Sequence, residues 1–462
     1  MFKEKPYHLR WTVAIIFMLS QSSLFSQKTF TLEQCINYAF ANNPILQIVS
    51  ADTSLSDLDL QRVKGSYIPR ADITAAFQYY IAQRNQIIEG GSFFAPDDLP
   101  LGEALAVPSG YKNAWYPNFN LSQLIFDGAY QSSYNLNAQN RILQEQEMWS
   151  FRIDLISGIY KAYISCRLFE IQARFLSENI ERIDTLTELT KIKYEEGAGI
   201  ALEVNRVLVT SNRMKSELAD VINSFNESLL ALQFQMNYLE PDSMILTDAY
   251  GIDEIVLNAS ETMNNLKTSD PNSRIESKII QTQISLANES ISLEKSRYQP
   301  SIGAEGSLGF LPASDSFDAL FQSERWQPYA YIGLNMYIPV FNGMDVKRAV
   351  EQRTIESIQS MYSYTQFINE YENERQTTYY KLKKSVERYS FAETNLNLAE
   401  NNIDLLEEAF VNGVADNQDM ILGENDLYEN QARYFNELLL LLLNAIEGTK
   451  VLGNFNFRAG VR

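Results

Sequence analysis

Two proline-free tracts dominate the chain, Asn118 to Glu240 and Val340 to Arg462. In each, an apolar column recurs every seven residues. The first runs Met148, Leu155, Ala162, Phe169, Leu176, Ile183. The second runs Met361, Ile368, Leu382, Tyr389, Leu396, Ile403, Phe410, and Arg375 interrupts it. Sustained heptads predict long helices packed as coiled coils. A helix from Ala129 to Glu196 would measure roughly 100 Å at 1.5 Å per residue. Glycines follow each column, Gly197 and Gly199 in YEEGAG and Gly413 in FVNGVAD. All three are expected to be positive-φ turn residues that end helices.

Four other stretches change the period to two, which predicts strands at about 70–82, 115–126, 300–310 and 327–341. In the first, Ile73, Ala75, Phe77, Tyr79 and Ile81 oppose Asp72, Thr74, Gln78 and Tyr80. In the second, Phe119, Leu121 and Ile125 oppose Asn118, Asn120 and Ser122. In the third, Ile302, Ala304, Leu308 and Phe310 oppose Ser301, Glu305 and Ser307. In the fourth, Ala330, Ile332, Leu334, Met336, Ile338 and Val340 oppose Tyr329, Tyr331, Asn335 and Tyr337. Runs of about ten residues suit tilted membrane strands, and Tyr79, Trp115, Tyr116, Trp326 and Tyr329 near their ends suit the headgroup level. A half-buried soluble sheet gives the same alternation. Pro69 and Pro300 each stand where a helical pattern becomes a strand pattern, because proline ends the helical ladder. Four strands cannot close a barrel in lipid, so membrane strands require several copies of the chain.

The halves share one layout: helix, proline, two strands, long helix, glycine turn, returning helix. Gly128 and Gly343 are 215 positions apart, and Gly197 and Gly413 are 216 apart. Such matched offsets predict an internal duplication, residues 27–240 and 273–462, joined by a linker or equatorial segment at 241–272.

Composition narrows the function. The net charge of −20 argues against nucleic acid as a partner. The start, with Lys3, Lys5 and Arg10 before WTVAIIFMLS, reads as a signal peptide over 1–26. The only histidine, His8, falls inside it, so no triad, histidine metal site or cofactor is expected. Cys35 and Cys166 allow one bridge at most, and Cys166, on a column with Ile159, Ala173 and Ile180, reads as a small core residue. The run Leu438–Leu443 is too short to span a bilayer. Besides a transport duct, two readings stay open: a secreted coiled-coil structural or adhesive protein with a small soluble sheet, and a hydrolase using carboxylates.

TLEQCINYAFANNPIL, the helix leading into KGSYIPRADI, FDG before a long helix, YEEGAG and FVNGVADNQDMI, taken in order, resemble the TolC family of outer-membrane efflux proteins. The resemblance covers the chain after the signal segment. It implies an α+β membrane protein, not an enzyme: a homotrimer whose four strands per copy form a 12-stranded outer-membrane β-barrel and whose helices form a periplasmic α-barrel. It implies an exit duct of a tripartite efflux or type I secretion system, with a periplasmic adaptor (membrane fusion) protein, an inner-membrane transporter of RND or ABC type, and outer-membrane lipid as partners. In that family an aspartate ring narrows the helical tip at the position matching Asp419. The duplication pairs Asp419 with Glu203. The family's second ring aspartate falls here on Leu422, so Glu424 and Asp426 are candidate substitutes. Asp416 with Asp419 also reads as a capped helix start. The turns at Gly197, Gly199 and Gly413 are, by resemblance, where the adaptor docks.

Overall fold

A computed structural model describes residues 28–239, 244–247 and 252–453. The expected signal segment at 1–26 and parts of the linker at 241–272 lie outside the described residues. In chain order come β1 (Thr29–Phe30), α1 (Leu32–Asn42), α2 (Pro44–Lys64), β2 (Arg70–Tyr79), β3 (Asn85–Glu89), β4 (Ala104–Pro108) and β5 (Asn113–Asp127). Then follow α3 (Tyr130–Glu195), α4 (Ala201–Met236), β6 (Ile245–Leu246), α5 (Ile252–Leu266) and α6 (Ile275–Ser296). The chain continues with β7 (Ser301–Phe310), β8 (Ala313–Ser314), β9 (Pro328–Tyr337), α7 (Asp345–Val411) and α8 (Asn417–Val451).

Thr31 starts α1 with a capping box: its hydroxyl accepts from Gln34 N, and Gln34 Oε1 accepts from Thr31 N at 2.9 Å. The helical stretch expected before Pro69 is two helices, divided at Asn43. Pro44 has no N–H to continue the ladder, and Asn43 Oδ1 accepts instead from Ile45 N and Leu46 N.

The chain divides into two compact units. The helical unit takes the described parts of Met1–Asp52, Glu145–Ile280 and Ser363–Arg462. One apolar cluster joins Cys35, Ile36 and Ala39 of α1 to Ile159, Tyr163 and Ile164 of α3, Leu232 and Met236 of α4, and Leu438 and Leu442 of α8. A second gathers Ile183, Val207, Met214, Ile403 and Met420. A third sets Ala259 and Leu266 of α5 against Leu382, Leu441 and Ala445. The leucine run therefore serves two clusters, Leu438 and Leu442 in one and Leu441 in another. Each fully buried leucine contributes about 2 kcal/mol. Arg375, which breaks the heptad column, is not idle. Its Nη1 donates to Leu266 O at 2.6 Å and Lys267 O at 3.2 Å, covering carbonyls left free at the end of α5.

The sheet unit takes Thr53–Gln144 and Gln281–Tyr362. Its sheet has the order β2-β5-β7-β9, all antiparallel, with β8 added to β5. β2 ends at Tyr79, short of the expected 82, and Tyr80 N turns to Lys112 O. β9 ends at Tyr337, although its alternation continues to Val340. Pro339 lacks the N–H that another rung needs. Two features were not legible as elements: the hairpin β3–β4 and the short helical turns Asp318–Phe321 and Ser323–Arg325.

Candidate functional sites

The first site is the sheet. Its register lines up Ile73, Phe119, Leu308 and Ala330 across the four strands, and Leu121, Gly306 and Ile332 one row on. These side chains share one face, and it is bare: Ile332 is 93% exposed, Ile73 79% and Leu334 74%. A soluble sheet would cover such a face with a helix or a second sheet. β5 carries a bulge between Leu124 and Phe126, so Phe126 pairs with Ile302. Plain alternation put Ile125 in the apolar row. Ile125 is instead the extra residue, and Phe126 takes the place opposite Ile302.

The opposite face is polar and cross-linked. Asn120 Nδ2 donates to Asp72 Oδ2 at 3.0 Å and Thr74 Oγ1 at 3.1 Å, while its Oδ1 accepts from Ser307 Oγ at 3.0 Å. Tyr329 OH donates to Asn118 Oδ1 at 2.7 Å, and Asn335 Nδ2 donates to Glu305 Oε2 at 3.0 Å. Four strands are thus tied by side chains as well as by backbone. Every one of these residues was on the polar side of the alternation; their pairing needed the register.

Pro69 and Pro300 each directly precede a strand, β2 and β7. Before β2, the single 3-10 turn Gly65–Tyr67 ends the helix, and the Tyr67 ring meets Tyr130 edge-on at 4.5 Å. At the second border, Gly128 N reaches Pro300 O. A Cβ at Gly128 would lie 2.3 Å from Gln299, so glycine is required by close approach there.

The second site lies at the two ends of the long helices. Gly197 (φ 76°) and Gly413 (φ 73°) close α3 and α7 identically. Gly197 N donates to Tyr194 O and Ala198 N to Lys193 O; Gly413 N donates to Phe410 O and Val414 N to Ala409 O. This pair of bonds is the Schellman closure. Gly199 departs from expectation: its φ is not positive. It is small for another reason, since a Cβ there would sit 3.2 Å from Tyr194 N.

The returning helices start differently. Asp416 caps α8, its Oδ1 accepting from Gln418 N at 2.8 Å and Asp419 N at 2.9 Å. Asp419 Oδ2 accepts from Asp416 N at 3.0 Å, completing a capping box. Both aspartates remain exposed. Ile200, the N-cap residue of α4, supplies no side-chain cap, and Glu203, half-buried, lies in the first turn. Leu422 is exposed, as is Asp426. Glu424 is not: it is 2% exposed. Arg182 Nε donates to its Oε1 at 3.0 Å, and Arg182 Nη2 to Asn179 Oδ1 at 2.7 Å; Asn179 in turn bonds Gln431. Burial pushes the Glu424 carboxyl up from its ordinary value, and the Arg182 guanidinium opposes that shift. Arg182 sits beside the column residue Ile183, where a period count marks nothing; the pairing is visible only in three dimensions.

Other side chains tie α3, α4 and α8 here. Arg206 donates to Gln418 at 3.0 Å, Arg213 to Asn425 at 2.6 Å, and Lys193 to Asn417 at 3.1 Å. Asp184 accepts from Ser211 at 2.7 Å and Lys215 at 2.9 Å, which lowers its pKa. Cys35 and Cys166 are both unbridged and fully buried in one cluster. Burial pushes both thiols up to about 12. Among the described residues no three His, Cys, Asp or Glu side chains come together as a metal site, and no helix is long and apolar enough to cross a membrane.

No protein-family model and no curated protein matches the chain. Solved structures do. The Campylobacter jejuni CmeC outer membrane channel superposes with a TM-score of 0.67 at 16% identity, over 92% of this chain and 85% of that one. The outer membrane protein VceC from Vibrio cholerae gives 0.65 at 14%, over 91% and 96%. The Neisseria gonorrhoeae MtrE outer membrane channel, in its open state, gives 0.68 at 15%, over 91% and 88%. The chain therefore has the fold of outer-membrane channel proteins. The likeness covers at least 91% of this chain and 85% or more of each of these neighbours.

Proposed function

We propose that this chain is a TolC-type outer membrane factor: the outer-membrane exit duct of a tripartite efflux or type I secretion system, conducting substrates passively and catalysing nothing. The observation that carries this reading is the sheet, with one bare apolar face and one hydrogen-bonded polar face. Lipid suits the first and water the second. The edges β2 and β9 have no partner strand within the described chain. Open edges are not tolerated in hydrocarbon, so further copies must pair there. A homotrimer supplies twelve strands. The matched halves, with long helices of 66 and 67 residues and returning helices of 36 and 35, support an internal duplication. In the assembled duct those helices form the periplasmic barrel.

At the tip, Asp419 with Glu203 is the proposed aperture, and Asp416 holds Asp419 in place. Like charges brought together at a narrow point repel one another and attract cations. Glu424 leaves this list, since its charge is engaged by Arg182 inside the protomer. The turns at Gly197, Gly199 and Gly413 are the proposed dock for a periplasmic adaptor, which joins an inner-membrane pump of RND or ABC type. The channel names of the structural neighbours support this reading. The test is fractionation: the protein is expected in outer membranes and in solution only with detergent. Recovery as a soluble periplasmic protein without detergent refutes the proposal.

A further inference from the structure

At the end of the sheet opposite Pro69 and Pro300, the segment between β7 and β9 does not wander into solvent. It is fastened to the strands. Trp115 N donates to Pro312 O at 2.9 Å, and β8 adds to β5 at Asn113 and Ala114. Asn113 Nδ2 donates to Ser314 O and Asp315 O, both at 3.2 Å. The Asp315 carboxylate is occupied, accepting from Lys112 N at 3.1 Å and Gln83 Nε2 at 3.2 Å. Trp326 Nε1 donates to Leu320 O at 2.9 Å.

The fastened segment builds a plate of rings. Trp115 meets Trp326 edge-on at 5.2 Å and Phe321 at 6.5 Å; Phe310 lies 5.5 Å from Trp326. Phe317 bridges Phe321 at 5.6 Å and Phe77 at 5.7 Å. The register pairs Phe77 with Trp115, on the same face as Ile73 and Phe119, one row beyond Ala75 and Pro117 and two rows beyond Ile73 and Phe119. The plate therefore continues the apolar face, not the polar one. Its outer members stay bare, Phe317 at 55% and Phe321 at 63% exposed. A segment whose backbone and carboxylate are tied down, while two phenyl rings are left uncovered, has not failed to pack. It presents those rings.

We infer that Leu311–Arg325 is an interfacial lipid anchor, in which Phe317 and Phe321 enter the bilayer at the headgroup–acyl boundary and fix the height of the sheet in the membrane. The inference rests on the membrane reading above. Its occupant follows from continuity: the plate lies on the face already assigned to lipid, and aromatic rings favour that boundary. The rings come from a loop folded back onto the strands, so strand alternation alone does not place them.

The test uses the full chain reconstituted in dioleoylphosphatidylcholine vesicles. An environment-sensitive NBD dye is attached through Phe321→Cys, or through Phe317→Cys if that variant folds better, and separately through Ile332→Cys. Buried Cys35 and Cys166 do not compete for the dye. Lipids carry a nitroxide quencher either at the headgroup or at acyl carbon 12. The expected result is that the dye at 321 is quenched at least twofold more by the headgroup probe, and the dye at 332 by the deep probe. Quenching at 332 without quenching at 321 overturns the anchor and leaves the duct standing. A blue-shifted but unquenched dye at 321 assigns the plate to a second copy or another loop, which also overturns it. Stronger quenching of 321 by the deep probe overturns the boundary placement. No quenching at either site overturns the anchor together with the membrane reading.

Discussion

Gly197 and Gly413, 216 positions apart, hold nearly the same φ and close their helices with the same two hydrogen bonds. Neither has any atom within 4 Å of where a Cβ would stand. Their requirement is conformational. Gly197→Ala and Gly413→Ala are each expected to cost about 1 kcal/mol, the penalty of a left-handed non-glycine residue. Gly199→Ala, whose φ is ordinary, should cost less despite its tighter contact. Hydrogen exchange of the flanking turns checks this: faster exchange is expected in the first two variants and little change in the third.

The two acids proposed at the aperture are separable from the cap that positions them. Asp419→Asn with Glu203→Gln removes charge while Asp416 still caps α8. Raised single-channel conductance and weaker block by divalent cations are expected in planar bilayers. Unchanged values of both remove these residues from the gate. Asp416→Ala, in contrast, should cost about 1 kcal/mol of helix stability through the lost cap.

The two faces of the sheet predict opposite tolerance. Ile332→Arg places a charge on the bare apolar face and is expected to cost about 2–4 kcal/mol if it lies at mid-bilayer. Asp72→Asn lies on the polar face, where Asn120 Nδ2 still finds a carbonyl acceptor. Yield of folded protein in outer membranes should fall for the first and hold for the second.

The sequence carried the periods well and the exceptions poorly. Long heptads and alternating strands come from side-chain spacing, which a linear pattern records. The split of the first helix at Asn43, the β5 bulge that brings Phe126 opposite Ile302, and the early end of β9 come from single backbone groups. A missing N–H or one extra residue decides each, and no period reports it. Site chemistry was legible to the same degree. Asp416 and Asp419 stand out as a helix start, whereas Glu424 looked like a free acid until its partner, 242 positions away, was seen to be Arg182.

That buried pair gives a pH prediction. The Glu424 carboxyl is raised in the folded state. The folded protein therefore holds that proton more tightly than the unfolded chain. Its contribution to stability is full at low pH and declines as pH rises from the ordinary carboxylate value through the raised one. Glu424→Gln should flatten this segment of the profile, read as the melting midpoint of the detergent-solubilised protein across pH. An unchanged slope contradicts the assignment. The thiols give a second check. With both pKa values pushed up to about 12, native Cys35 and Cys166 hold about a thousandfold less thiolate than an ordinary cysteine. Maleimide should label neither at pH 8 until the protein is unfolded.

The central claim is that copies of this chain enclose a water-filled path through a membrane. Purified full-length protein, inserted into planar bilayers, tests it most directly. Discrete conductance steps are predicted, with cations favoured over anions because the chain carries a net charge of −20. A protein that inserts and yields no steps, under conditions where Asp419→Asn with Glu203→Gln is also silent, contradicts the account.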